Sequence, residues 1–267
     1  MISTFAVAFA LLASSVSAGK GGLAWPYYNS PLDPSVFNTG SGNTVAIYDW
    51  ETYAPPSANG DGGLGFIGTQ RCTDCDSSPI GELAARQAAQ GWATLFTLNE
   101  PDLNGISPGD AASWYQTNVN AIQSTKKAFP SITSSTDAGK GLDWLAQFFT
   151  ACGGSCSGDY VNLHWYGTAY SDFQSHVESA HSKFGDYKIV ISEFALTGAS
   201  QADQVAFFKQ AIEWLNGQDY VELFFPFPAT SPSLLSANDA AAASYVGTGS
   251  CLFNDDGSAS AVGELLL

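Results

Sequence analysis

The feature that most constrains this chain is a regular alternation of short apolar runs with amphipathic stretches. The runs are Gly22 to Tyr28, Thr44 to Trp50, Leu64 to Gln70, Thr94 to Glu100, Ser131 to Thr136, Tyr160 to Tyr166, Lys188 to Phe194 and Val221 to Phe227. Each has the length of a buried strand. Helical patterns lie between most of them, over Pro79 to Gln90, Ser107 to Phe129, Gly141 to Thr150, Asp172 to Phe184 and Gln201 to Asn216. The second of these opens on Ser107-Pro108-Gly109-Asp110, a helix N-terminal signal, and runs to Pro130. Strands that alternate with helices build parallel βαβ units. Eight such runs in a chain of 267 residues predict a (β/α)₈ TIM barrel of the α/β class. A doubly wound sheet is the rival, but no Gly-x-Gly-x-x-Gly turn follows the first run. Glu51 to Gly63, with Pro55, Pro56 and several glycines, does not suit a helix, and the segment after the first run is short. Degenerate helices are therefore expected after the first two strands. Ala240 to Ala243 opens one more helix near the C-terminus.

Charge narrows the partners. The formal net charge is -16, which repels nucleic-acid phosphates and anionic lipid headgroups. A neutral polymer meets no such barrier. Phe5 to Leu12 is almost wholly apolar, and Val16-Ser17-Ala18 offers a small-x-small cleavage site before Gly19. Residues 1–18 therefore read as a signal peptide, with residues 19–267 as one domain. No later run reaches the ~18 apolar residues that span a bilayer. The expectation is a secreted monomer with no membrane partner. Export favours disulfides, and Cys72–Cys75 and Cys152–Cys156 are the simplest pairs, leaving Cys251 free and buried. With three histidines and no ligand motif, no metal or other cofactor is expected.

In barrels of this kind functional groups sit at the C-terminal ends of strands. Glu100 and Glu193 stand there, each after a strongly apolar strand. A carboxylate emerging from a packed interior is costly unless it has partners or a task. Two of them suit glycosidic cleavage, one protonating the leaving oxygen and the other attacking the anomeric carbon or activating water. Asp49, Glu51, Asp102 and Asp137 compete for the same rim. His164 shares a strand face with Asn162 and Tyr166, placed to bind a sugar or to orient a carboxylate. Trp25, Tyr27, Tyr28, Tyr48, Trp50, Trp165, Tyr166 and Phe227 gather near the rim, where aromatic faces would stack on sugar rings.

Thr97-Leu98-Asn99-Glu100-Pro101-Asp102, His164-Trp165-Tyr166-Gly167 and Ile191-Ser192-Glu193-Phe194 resemble glycoside hydrolase family 128. The resemblance runs from Gly21-Gly22-Leu23-Ala24-Trp25 to Leu252-Phe253-Asn254-Asp255-Asp256-Gly257. It implies a retaining β-1,3-glucanase with Glu100 as acid/base and Glu193 as nucleophile. It also implies that Asn99 binds the sugar 2-hydroxyl, that Tyr166 and His164 line that subsite, and that Trp50 or Trp165 contributes to the groove. Where such proteins often carry a Trp near the end of the eighth strand, this chain has Phe227, which stacks but donates no N–H. Two expectations follow for the mechanism. The carboxyls should lie about 5–5.5 Å apart, the retaining separation. The Glu100 pKa should be raised by burial and by the charge of Glu193. The alternatives are a non-catalytic β-glucan-binding wall protein, or a glycosidase of the same clan acting on another β-linked glucan or a mannan.

Overall fold

A computed structural model describes residues 19–122 and 126–267. The expected signal peptide lies outside the described residues. The strands are β1 (Gly21–Ala24), β2 (Thr44–Tyr48), β3 (Gly65–Phe66), β4 (Gly68–Gln70), β5 (Thr94–Thr97), β6 (Lys126–Lys127), β7 (Tyr160–Gly167), β8 (Lys188–Leu196) and β9 (Val221–Pro226). The helices are α1 (Leu83–Gln90), α2 (Pro108–Trp114), α3 (Gly141–Cys152), α4 (Tyr170–Lys183), α5 (Gln201–Asn216), α6 (Pro232–Asn238) and α7 (Ala240–Tyr245). Every ladder between these strands is parallel. The α/β alternation predicted from the runs is present.

The ladders form two sheets rather than one continuous ring. A six-stranded sheet has the order β3-β2-β1-β9-β8-β7, and a three-stranded sheet the order β4-β5-β6. Two local causes divide them. The single run expected over Leu64 to Gln70 breaks at Ile67: β3 pairs with β2, while β4 pairs with β5. The run expected over Ser131 to Thr136 forms only isolated bridges, Asn99 with Ser131 and Ile132 with Leu163. Pro130 precedes it, and proline supplies no N–H to a ladder. The paired segment here is instead β6, inside what the periodicity assigns to the helix Ser107 to Phe129. That helix stops early: α2 ends at Trp114 and continues as a π-turn over Tyr115–Val119. Backbone bonds still cross the gap, from Asp159 N–H to the Lys127 carbonyl at 2.8 Å and from Phe129 N–H to the Tyr160 carbonyl at 2.9 Å.

Local chemistry sets the helix ends. Ser107 and Ser200 cap α2 and α5 by accepting the N–H of Asp110 and Asp203. Gly91 ends α1 in the left-handed conformation, φ 68°. Between β1 and β2 there is one 3₁₀ turn, Pro34–Phe37, and no helix is assigned between β2 and β3. Aromatic rings fill the interior. Tyr48, Phe96 and Phe225 meet edge to face between the sheets, while Phe173, Phe194, Phe207 and Phe208 join α4 and α5 to β8. Cys72 bonds to Cys75 and Cys152 to Cys156, and Cys251 is free and buried.

Candidate active site

Because the strands run parallel, their C-terminal ends share one rim, and the chain is strained where it leaves them. Trp50 (φ 61°), Leu98 (φ 24°) and Glu100 (φ 47°) all have positive φ without being glycine. Such backbone costs about 1–3 kcal/mol per residue and concentrates at functional sites. Glu100 is held there by its N–H, which donates to the Ser131 carbonyl at 2.9 Å.

Glu193 reaches the rim through a bulge in β8. Leu163 pairs with Ile191, yet His164 pairs with Glu193, so Ser192 is the extra residue. A bulge re-aims the side chains beside it, and here it sets Glu193 opposite His164. Two donors fix the Glu193 carboxylate: the Tyr166 hydroxyl on Oε2 at 2.7 Å and the Trp50 indole N–H on Oε1 at 2.9 Å.

His164, fully buried, joins the two acids. Its Nδ1 lies 3.0 Å from Glu100 Oε1, and its Nε2 lies 3.0 Å from Ser192 Oγ and 3.5 Å from Glu193 Oε1. Burial favours a neutral imidazole, but the Glu193 charge and the Glu100 hydrogen bond outweigh it and raise the His164 pKa. Burial also works to raise the Glu100 carboxyl. The hydrogen bond and charge of His164 oppose it and leave Glu100 below the ordinary carboxylate value. The raised Glu100 expected from the neighbouring acid is therefore reversed by the imidazole that lies between the two carboxyls. Burial, with the Glu100 charge adding to it, leaves Glu193 above the ordinary carboxylate value, and His164, Tyr166 and Trp50 offset this only in part.

Two grooves meet at Glu193 and Phe227, which line both. One, of about 530 Å³, is walled by Glu100, Leu103, Thr133–Ser135, Lys140, Tyr166 and Tyr245. The other, of about 370 Å³, is walled by Tyr27, Tyr28, Asp49, Trp50, Glu51, Arg71 and Asp239. Phe227 packs edge-on against both Trp50 and Tyr166. The structure thus brings Glu100, Glu193, His164, Tyr166, Trp50 and Phe227 together. Trp25, Tyr48 and Trp165 are not in the grooves. Trp25 is buried against Phe253, Trp165 stacks on Phe207, and Tyr48 lies beneath the site with its hydroxyl on the Ser192 carbonyl at 2.9 Å. These three belong to the packing: strand alternation turns Trp165, between His164 and Tyr166, away from the mouth, and Tyr48 lies one layer deeper than Trp50, against Phe96 and Phe225. Asn99 lines a small cavity under the rim with Tyr48, Ser131 and Ser192.

Of the competing acids, Asp102 accepts from Thr133 and from the Gly141 N–H, tying the loop before α3. Glu51 is occupied by Arg71, Ser77 and Ser78. Asp137 is exposed and pairs with Lys140. Sequence reading missed Tyr245, at the end of α7 and 58% exposed, 5.6 Å from the Tyr166 ring. Its position just beyond an alanine-rich helix start was the available signal. Among the described residues, no group of three or more His, Cys, Asp or Glu is disposed to hold a metal ion.

A family model described as the glycosyl hydrolase catalytic core matches residues 22–265. A solved structure from Lentinula edodes, a subgroup IV endo-β-1,3-glucanase of glycoside hydrolase family 128, is 59% identical, with 94% of this chain and all of that one covered and a TM-score of 0.91. The chain belongs to glycoside hydrolase family 128. Alkali-sensitive linkage protein 1 of Schizosaccharomyces pombe is 30% identical over 266 residues, 95% of this family 128 chain and 45% of that protein. The chain thus spans less than half the length of that curated relative. A family 128 endo-β-1,3-glucanase variant from Amycolatopsis mediterranei, solved with laminarihexaose, shares the fold at 21% identity and a TM-score of 0.70, with 92% and 98% of the two chains covered.

Proposed function

We propose that this chain is an exported endo-acting hydrolase of β-1,3-glucan that retains anomeric configuration, with Glu193 as nucleophile and Glu100 as acid/base. The observation that carries the reading is the Glu100–His164–Glu193 chain of contacts, at 3.0 and 3.5 Å, at the junction of two grooves. A 59%-identical endo-β-1,3-glucanase supports the substrate and the mode of action. Grooves on both sides of Glu193 suit a bound chain that continues past the cut. The apolar run Phe5 to Leu12 with its cleavage site supports export, as do the two disulfides. The two sheets read as arcs of a (β/α)₈ barrel. The neighbour order β1-β2-β3, then β4-β5-β6, then β7-β8-β9 and back to β1 supports this.

In the reaction, Glu193 attacks the anomeric carbon and forms a glycosyl-enzyme while Glu100 protonates the departing oxygen. Glu100 then takes a proton from the water that hydrolyses the intermediate. A lowered Glu100 pKa is compatible with an acid role because His164 holds the proton next to it. Glu100⁻ with His164⁺ and protonated Glu100 with neutral His164 carry the same proton count. Transfer along the Nδ1–Oε1 contact arms the acid, and the Tyr166 and Trp50 donors favour the ionised Glu193 that attacks. Tyr166 would hold Glu193, Asn99 would meet the sugar 2-hydroxyl, and Trp50, Tyr166 and Phe227 would flank the sugar at the cut.

Glu100→Ala and Glu193→Ala should each lower laminarin hydrolysis by at least ~10²-fold while laminarihexaose still binds. Wild-type rates in either variant would sink the role assignment. Proton NMR of the first-formed product should show the β-anomer, and the α-anomer would exclude retention. A panel of β-1,3-, β-1,4- and β-1,6-linked glucans tests the substrate.

A further inference from the structure

Trp50 supplies one of the two side-chain donors on Glu193, from a left-handed backbone that a bulky aromatic residue rarely adopts. The residue after it is clamped. Glu51 is buried, and its carboxylate accepts from Arg71 at 2.9 Å, from Ser77 at 2.8 and 2.9 Å and from Ser78 at 2.5 Å. Its carbonyl accepts the Thr69 N–H on β4 at 2.8 Å. On the other side of Trp50, Asp49 Oδ1 accepts the Glu51 N–H at 3.2 Å. Arg71, Ser77 and Ser78 border the Cys72–Cys75 loop, and Arg71 also reaches Cys75 Sγ at 3.2 Å. Glu51 lines a groove wall, yet both its oxygens are filled by protein donors. It is therefore built to hold position rather than to bind sugar. A reacting carboxylate keeps its geometry only when the groups around it are themselves locked.

We propose that Glu51 is a positioning residue for the cleavage, fixing the Trp50 indole on Glu193 through its clamp by Arg71, Ser77 and Ser78. The inference rests on the reading of Glu193 as nucleophile. Without the clamp, Trp50 relaxes out of its left-handed backbone and Glu193 loses a donor that favours its ionised form.

The test compares Glu51→Gln, Ser77→Ala, Trp50→Phe and the Glu51→Gln/Trp50→Phe double variant on laminarihexaose across pH, with melting temperatures. Glu51→Gln should lower kcat by about tenfold or more with KM within about threefold, and should move the acidic limb of kcat/KM to higher pH. Trp50→Phe should move that limb in the same direction, and the double variant should add little to it. Ser77→Ala, a milder change, should show a smaller shift in the same sense at an unchanged melting temperature. Unmoved acidic limbs in Glu51→Gln and Ser77→Ala, or fully multiplicative effects of Glu51→Gln and Trp50→Phe, would overturn the proposal. Glu193→Ala serves as the control. If it keeps wild-type rates, the nucleophile reading falls and this inference with it. If it is inactive while the limbs stay put, the positioning role alone falls.

Discussion

His164 shows how one side chain alters the meaning of two others. Glu100 and Glu193 were legible in the sequence because each follows an apolar strand and so emerges at a rim. Their electrostatics were not, because the imidazole between them arrives from a strand 64 residues beyond Glu100. Since the mobile proton resides partly on a His whose pKa is raised, the basic limb of kcat/KM should lie above the ordinary His range. In His164→Gln that last proton belongs to a carboxyl, so the basic limb should fall to lower pH and kcat should drop. An unchanged basic limb would count against the shared proton. Asp49 carries a separate consequence. It is 3% exposed, its Oδ2 has no hydrogen-bond partner, and burial pushes its pKa to about 8. The folded state therefore holds a proton that the unfolded chain has released. The contribution is fully present below pH 3.8 and is lost as pH rises towards about 8. Asp49→Asn should remove that slope. Melting temperatures should rise relative to wild type at pH 8 and match it more closely at pH 4.

At the scale of elements, the long helices and strands were readable and the interruptions were not. α5 matches its periodicity residue for residue, Gln201–Asn216, because Ser200 and Asp203 cap it locally. The Ser192 bulge, the break at Ile67 and the early end of α2 are decided by partners across the sheets, which periodicity does not encode. The aromatic residues divide in the same way. Trp25 and Trp165 lie beside the rim in sequence but turn into the packing. Tyr245 comes from α7, a short helix with no buried residue of its own, and overhangs Tyr166. Tyr245→Ala should weaken binding of long laminari-oligosaccharides severalfold and leave disaccharides unaffected. Stability should change by no more than about 0.5 kcal/mol, as for an exposed site. Equal binding of all lengths would remove Tyr245 from the substrate path.

For the molecule as a whole, the surface charge acts beyond the site. A chain with formal net charge -16 repels polyanions and is indifferent to neutral polymers at long range. The groove lined by Glu51, Glu193 and Asp239 holds one guanidinium, Arg71, itself paired with Glu51. Carboxymethylated β-1,3-glucan should therefore be cleaved more slowly than neutral glucan of equal length. The gap should narrow as salt rises from about 0.01 to 0.15 M, where screening shortens from about 30 to 8 Å. A gap independent of salt would point to steric exclusion instead.

The sequence by itself determined the α/β alternation, the candidate carboxylates and the motifs of the family. All of these are local or periodic properties that residue type and spacing express directly. Tertiary structure alone decided how those carboxylates behave. Glu100 and Glu193 were expected at one rim; what brings them into a single site is His164, aligned by an extra residue in β8. That imidazole reverses the shift expected for Glu100, and the Glu51 clamp on a distant loop holds Trp50 against Glu193. Each of these depends on which strands lie side by side and in what register, and no single segment carries that information.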